Sequence, residues 1–245
     1  MEAAIGPSVQ RRSPTSTWSR AQVAAMLEAD DFSYQKIELP HGFSTSGRHD
    51  RSSTARRIFP DDLSGKSVLD VGCRLGYFCF EALKRGAERV VGVDIDPDNV
   101  RKARLLADCL GFEARFEQLD IDREPIRESF DTVLALNLLH HLANPIGTLA
   151  QLASIARERL VLEIAALRRT DRSKAGVPRV FGRLIERLPI IVVSPVAGDD
   201  PDSQKFFVTA SAIDNLLRHP RYGFTRVERV SSRHKGRFIV IADKR

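Results

Sequence analysis

Val68-Leu69-Asp70-Val71-Gly72-Cys73-Arg74-Leu75-Gly76-Tyr77-Phe78 is the stretch that decides the fold. Its first part, 67–71, is apolar enough for a strand buried on both faces, the kind found in parallel sheets. Gly72 to Gly76 makes a glycine-containing turn. Phe78, Phe80, Ala82 and Leu83 then set up a helix that Gly86 stops. A strand, a glycine turn and a helix start let a ligand come close to backbone N–H groups. The spacing is G-x-x-x-G, not the G-x-G-x-x-G that seats a dinucleotide pyrophosphate on a helix N-terminus. Asp70 stands two residues before the first glycine. A carboxylate there repels a pyrophosphate and suits a ligand that carries positive charge.

Beyond this unit the rhythm repeats. Strands are expected at 89–94, 113–119, 130–136 and 159–164, with helices at 97–110 and from Asn144-Pro145 to about 156. Pro97 sits in the first turn of its helix and Gly111 just past the end. Strands and helices alternating at this spacing give an α/β fold with an open, mostly parallel sheet and right-handed crossovers. A helix at 209–217 and a strand pair at 223–230 and 236–242 complete the chain. The stretch 165–205 breaks the rhythm with RRTDRSKAG, an apolar helix candidate at 180–188, and GDDPDSQ. A long interruption after a strand's carboxyl end is where a substrate lid usually sits. Toward the N-terminus, residues 1–16 lack periodicity and are expected to be disordered. A helix capped by Thr17 or Ser19 runs to Asp30, and 34–39 alternates like a strand until Pro40-His41-Gly42 breaks it. Ser52 or Ser53 starts another short helix. The expected divisions are 1–16, an N-terminal extension at 17–63, and the α/β domain at 64–245.

Two further carboxylates stand at strand ends. Asp94 closes Val91-Gly92-Val93-Asp94, 22 residues after Gly72. A carboxylate there can accept both hydroxyls of a ribose, or it can cap the helix that starts at Pro97. Asp120-Ile121 comes just after the third strand, where an acid with an apolar neighbour can bond an adenine amino group and cover the ring. The alternative is a turn residue. S-adenosylmethionine (SAM) carries both an ammonium and a sulfonium, the charges that Asp70 favours.

Composition narrows the class without naming a partner. The 245 residues carry a net charge of +6, with 42% hydrophobic and 29% charged residues, as in an ordinary globular domain. The cations are 30 Arg and 8 Lys scattered among 32 acids, so the charge alone does not assign nucleic-acid binding. No run approaches the roughly 18 apolar residues of a membrane span, and the first 30 residues lack the apolar core of a signal peptide. Cys73, Cys79 and Cys109 show no CxxC spacing and no zinc-ligand partners, so neither a disulfide framework nor a bound metal is expected. A cytoplasmic location is the resulting expectation.

The ordered set Asp70-x-Gly72-x-x-x-Gly76, Asp94, Asp120 and Phe130-Asp131-Thr132-Val133 resembles the class I SAM-dependent methyltransferases over about residues 64–164. The resemblance implies a Rossmann-like, seven-stranded sheet with an antiparallel last strand. It also implies SAM as cofactor, S-adenosylhomocysteine as product, and Asp70, Gly72, Cys73, Arg74, Gly76, Asp94, Ile95, Asp120, Ile121 and Asn137 around the donor. Arg74 stands where the family often has Gly or Asn. It bears a steric cost if φ is positive there, reaches the donor's carboxylate, or points into solvent. The segment Asn137-Leu138-Leu139-His140-His141-Leu142 resembles the stretch beside the transferable methyl group. His140 or His141 is thus a candidate base, the alternative being that His141 packs and orients the loop. Glu163, at a strand's carboxyl end, is another candidate, or pairs with a nearby arginine. The basic lead-in, with Tyr34, His41 and Arg48, is expected to cover the substrate side.

More loosely, 34–80, the strand-four loop and 160–164 are similar to relatives of the tRNA wobble-uridine methyltransferases. The segment those enzymes place after strand five is replaced here by 168–204, so neither the tRNA substrate nor the carboxylated donor is carried over. Three functions remain in play: methylation of a small-molecule, natural-product-like acceptor; methylation of RNA, with the arginines tracking phosphates; and a non-catalytic binding module. The oligomeric state is left open.

Overall fold

The computed structural model describes residues 16–166, 182–185, 187–194, 205–234 and 236–244. The expectation of disorder at 1–16 therefore lies, but for Ser16, outside the described residues. So does most of the expected lid at 165–205.

Seven strands form one sheet: β1 (Ser67–Val71), β2 (Arg89–Asp94), β3 (Arg115–Gln118), β4 (Phe130–Leu136), β5 (Ala156–Ala165), β8 (Arg226–Ser231) and β9 (Arg237–Asp243). Their order is β3-β2-β1-β4-β5-β9-β8. β4 and β5 run parallel, while β9 is antiparallel to both β5 and β8. This is the expected α/β sheet with its antiparallel last strand. Two further strands, β6 (Ile191–Ser194) and β7 (Lys205–Val208), form a separate antiparallel pair. The chain divides into two compact units: 1–68, 73–92 and 96–117 in the first, and 69–72, 93–95 and 118–245 in the second.

In the first unit, α1 (Arg20–Ala29) starts at Ser19, whose hydroxyl accepts from Gln22 N at 3.3 Å while the Gln22 side chain accepts from Ser19 N at 2.7 Å. This reciprocal cap settles the choice between Thr17 and Ser19. The expected strand at 34–39 does not form a ladder. Gln35, Ile37 and Leu39 are buried in alternation, but only isolated bridges form, to His49 and Ser44. The reason is local: Pro40, His41 (φ 60°) and Gly42 (φ 76°) fold the segment back, and the Thr45 hydroxyl takes the Ile37 N–H at 2.8 Å. Next come α2 (Ser52–Ile58), α3 (Tyr77–Lys84) and α4 (Pro97–Leu110). Phe116 fills the space left by two glycines. A Cβ on Gly76 would stand 2.8 Å from its ring, and one on Gly92 2.7 Å.

In the second unit, α5 (Pro145–Ile155), capped by Asn144 through Gly147 N, runs directly into β5. Val133, Leu134, Leu160, Leu162, Ile239 and Val240 are buried within the sheet. Within the helix candidate at 180–188 the described residues include the helical turn Gly182–Ile185, while 180, 181 and 186 lie outside the described residues. Pro189 follows this stretch, and the β-branched residues Ile190–Val193 after it favour the strand β6. α6 (Ala210–Leu217) is capped by Thr209, whose hydroxyl accepts from Ala212 N and donates to Leu188 O at 2.6 Å.

Candidate active site

Two strand ends anchor the site in the second unit. Gly72 N donates to Val93 O at 2.8 Å, so β1 and β2 stay paired to their tips before the chain turns away at Gly72 (φ 76°). Asp70 and Asp94 are 2% and 6% exposed there. The cap of α4 is Asp96, which takes Asp98 N at 2.9 Å, and not Asp94. That removes the capping alternative for Asp94. Its neighbour Ile95 is 62% exposed, a large apolar side chain with little to lie against.

Asp120 makes contacts within its own turn. Its carboxylate accepts from Asp122 N at 3.1 Å and lies 3.3 Å from Arg123 Nε, while Ile121 beside it is buried. At the tip of β4, Asn137 has φ 61°, and its N–H donates to Glu163 O at 2.7 Å. Asn137 Oδ1 is buried without a hydrogen-bond partner, which costs about 1–3 kcal/mol. Left-handed backbone and an unmet buried acceptor thus coincide at one residue. The short 3₁₀ turn Leu139–His141 brings the His140 and His141 rings to 4.0 Å, His140 half-buried and His141 exposed. Glu163 is fully buried. It accepts from Ser232 Oγ at 2.8 Å and lies 3.7 Å from Arg237 Nη1, the arginine pairing that the sequence leaves open.

The rest of the glycine loop belongs to the first unit. Arg74 (φ 54°) and Gly76 (φ 82°) continue the left-handed backbone begun at Gly72, and Cys73 and Leu75 between them are buried. For an L residue such a φ costs roughly 1–2 kcal/mol. The Arg74 guanidinium lies 4.5 Å from the Tyr34 ring centroid, a contact that offsets about 0.5–1 kcal/mol. Arg74 is thus solvent-exposed yet stacked, and Tyr34 also meets the His49 ring at 5.3 Å. His41 serves the lead-in turn, its Nε2 2.8 Å from Trp18 O, and Arg48 is exposed.

Two residues of the lead-in, which the sequence offers only as part of a substrate-side cover, make contacts that it does not predict. Gln35 is 5% exposed and accepts from Leu75 N at 3.0 Å. Arg51 is 7% exposed, with its guanidinium over the Phe78 ring. Neither belongs to a motif; a buried polar side chain in an irregular segment leaves no periodic trace. The three cysteines are buried and form no disulfide, and burial pushes the Cys109 thiol up to about 11. Among the described residues no acid, His or Cys cluster fits a metal ion, and no helix is long and apolar enough to cross a membrane.

Comparison with known proteins agrees with this geometry. Residues 62–179 match the family described as "Methyltransferase domain". A tRNA U34 carboxymethyltransferase of Idiomarina loihiensis is 38% identical over 116 residues, covering 44% of this chain and 36% of the relative. The chain thus matches only about a third of that relative's length. Among solved structures, the N-terminal domain of EvdMO1 with S-adenosylhomocysteine bound superposes with a TM-score of 0.71 at 15% identity, over 93% of this chain and 98% of that one. Magnesium protoporphyrin IX methyltransferase of Synechocystis PCC 6803 gives 0.56 at 23% identity, over 79% and 81%. These two establish the fold. The β1 glycine loop, the strand order and the family match over residues 62–179 agree with one another, and the chain has the class I, Rossmann-like fold of these neighbours.

Proposed function

We propose that the chain is a SAM-dependent methyltransferase acting on a small-molecule, natural-product-like acceptor and releasing S-adenosylhomocysteine. The observation that carries this reading is the pair of strand tips joined by Gly72 N to Val93 O, with Asp70 and Asp94 buried and Ile95 exposed. In this reading Asp94 takes the ribose hydroxyls. Ile95 and Ile121 offer apolar faces for adenine, and Asp120 reaches its amino group. Asp70 and the loop of Gly72, Cys73, Arg74 and Gly76 face the amino-acid end. The unpartnered Oδ1 of Asn137 fits a ligand N–H or O–H. S-adenosylhomocysteine in two neighbours of the same fold supports the assignment.

The donor supplies, when bound, a methyl carbon on a sulfonium, with the leaving group already made. The protein's part is alignment and exclusion of water. His140 or His141 takes the proton of an O–H or N–H nucleophile, a contribution typically about 10²–10⁴-fold. Glu163, held by Ser232 and near Arg237, fixes the end of β5 whose carbonyl bonds Asn137. Tyr34, His41 and Arg48 are assigned to the substrate side.

For the acceptor, the exposed Leu184, Leu188, Ile191 and Val193 beyond β5 favour an apolar molecule over a phosphate chain. The likeness to a tRNA U34 carboxymethyltransferase favours a second reading, an RNA acceptor. Binding would then fall log-linearly with salt, with a slope set by the phosphates contacted. The cytoplasm is the proposed place of action, where buried thiols stay reduced.

Calorimetric titration of SAM and S-adenosylhomocysteine tests the donor assignment. Wild type is expected to bind, and Asp94→Ala to bind on the order of 100-fold more weakly, for two lost bonds to a charged acceptor. Equal binding by the variant would remove Asp94 from the site. No binding by wild type would leave the non-catalytic module.

A further inference from the structure

We infer that the N-terminal lead-in, which lies ahead of the family match, is a working part of the donor loop, with Gln35 as its positioning residue; this rests on the reading of 72–76 as the donor loop. Between left-handed Arg74 and left-handed Gly76 the loop backbone cannot make regular strand or helix bonds. Leu75, 3% exposed, therefore needs a partner for a buried N–H. Its partner is the Gln35 side chain at 3.0 Å, forty residues away in sequence.

Gln35 is itself tightly held. Its carbonyl accepts from Thr45 Oγ1 at 2.6 Å, and that hydroxyl also accepts from Ile37 N at 2.8 Å. The next residue's N–H, Lys36 N, donates to His49 O at 3.2 Å. Gly47 lets the returning chain pass: a Cβ there would stand 2.1 Å from the Gln35 carbonyl carbon. At the rim, Arg74 lies over Tyr34, the residue before Gln35. Two adjacent lead-in residues thus grip two adjacent loop residues. One grip fixes a backbone N–H in the interior, and the other fixes a side chain at the surface. The loop's shape, and through it donor affinity, depends on residues that touch no donor atom.

The test is Gln35→Met in the full chain, which keeps the length and apolar stem of the side chain but removes the acceptor. Amide exchange over 72–78 without ligand reads the positioning. Calorimetry with S-adenosylhomocysteine reads its consequence. The expected result is exchange at Leu75 faster by roughly 10-fold and a Kd weaker by roughly 10-fold, as for one lost hydrogen bond. Gln35→Glu, which restores an acceptor oxygen, is expected to recover most of both. If Gln35→Met does not fold, Thr45→Val, which frees the Gln35 carbonyl, is expected to give the same two changes at roughly 3-fold. Unchanged exchange overturns the positioning role. Faster exchange with unchanged affinity overturns the link to the donor. Failure of wild type to bind overturns the donor reading itself, an outcome distinct from either.

Discussion

The loop 72–76 and the β6–β7 pair are both irregular departures from the alternating sheet, yet they are built from different materials. In the loop, Gly72, Arg74 and Gly76 hold φ of 76°, 54° and 82°, and Cys73 and Leu75 are buried. Its shape lives in the backbone. In β6, Ile191 and Val193 are 42% and 45% exposed, joined by exposed Leu184 and Leu188 just before it. The shape there lives in apolar side chains that regular pairing leaves at the surface. A site that must fit one fixed donor gains from backbone geometry, since few substitutions can disturb it. A site for an acceptor that differs between enzymes gains from side chains that can be exchanged without unfolding the sheet.

The largest effect expected from this contrast is on the loop side. Gly76→Ala would place a Cβ 2.8 Å from the Phe116 ring at a φ of 82°. The left-handed conformation costs Ala about 1 kcal/mol and displacing a buried ring costs about 1–3 kcal/mol. Urea unfolding should show a loss of about 2–4 kcal/mol, with donor affinity falling in the protein that remains folded. A neutral result would mean that the turn is soft, and that backbone geometry is not what distinguishes the two regions.

On the other side, Ile191→Ser with Val193→Ser should leave the unfolding midpoint nearly unchanged, because these side chains are already half exposed. Donor affinity should also hold. The KM for an apolar acceptor should change, by roughly 10-fold if the two side chains contribute about 1–1.5 kcal/mol together. A fall in donor affinity, or an unaltered KM, would take β6 out of the acceptor site.

The same contrast explains how much is legible in sequence. The strand run before Gly72, the acid closing β2 at Asp94 and the helix starts at Pro97 and Pro145 show through because period, composition and turn chemistry are local properties. Asp94 is ambiguous in sequence, and the cap at Asp96 removes the capping alternative. The 34–39 segment misleads because its alternating burial is real while its ladder is absent; a threonine hydroxyl replaces one of the strand bonds. The β6–β7 pair goes unpredicted because β6 falls inside, and β7 begins at the end of, the stretch 165–205, whose broken rhythm offers a helix candidate at 180–188 and no paired strand pattern. Gln35 shows in sequence only as part of the lead-in, and its bond to Leu75 leaves no trace. A side chain that serves a backbone N–H forty residues away is a tertiary fact, and no spacing encodes it.

The smallest expected effect is the most discriminating. Arg74→Gly removes a steric cost of about 1–2 kcal/mol for left-handed backbone. It also adds about 0.5–1 kcal/mol of unfolded-chain entropy and forfeits about 0.5–1 kcal/mol of contact with Tyr34. These terms nearly cancel, so urea unfolding should move by less than about 1 kcal/mol. If backbone shape alone defines the loop, the variant binds the donor as wild type does, because glycine holds the same φ without strain. If the Tyr34 contact matters too, affinity falls while stability does not. A large loss of stability would mean that the side chain, and not the backbone, organises this turn, and the loop would then resemble the hairpin with which it is contrasted.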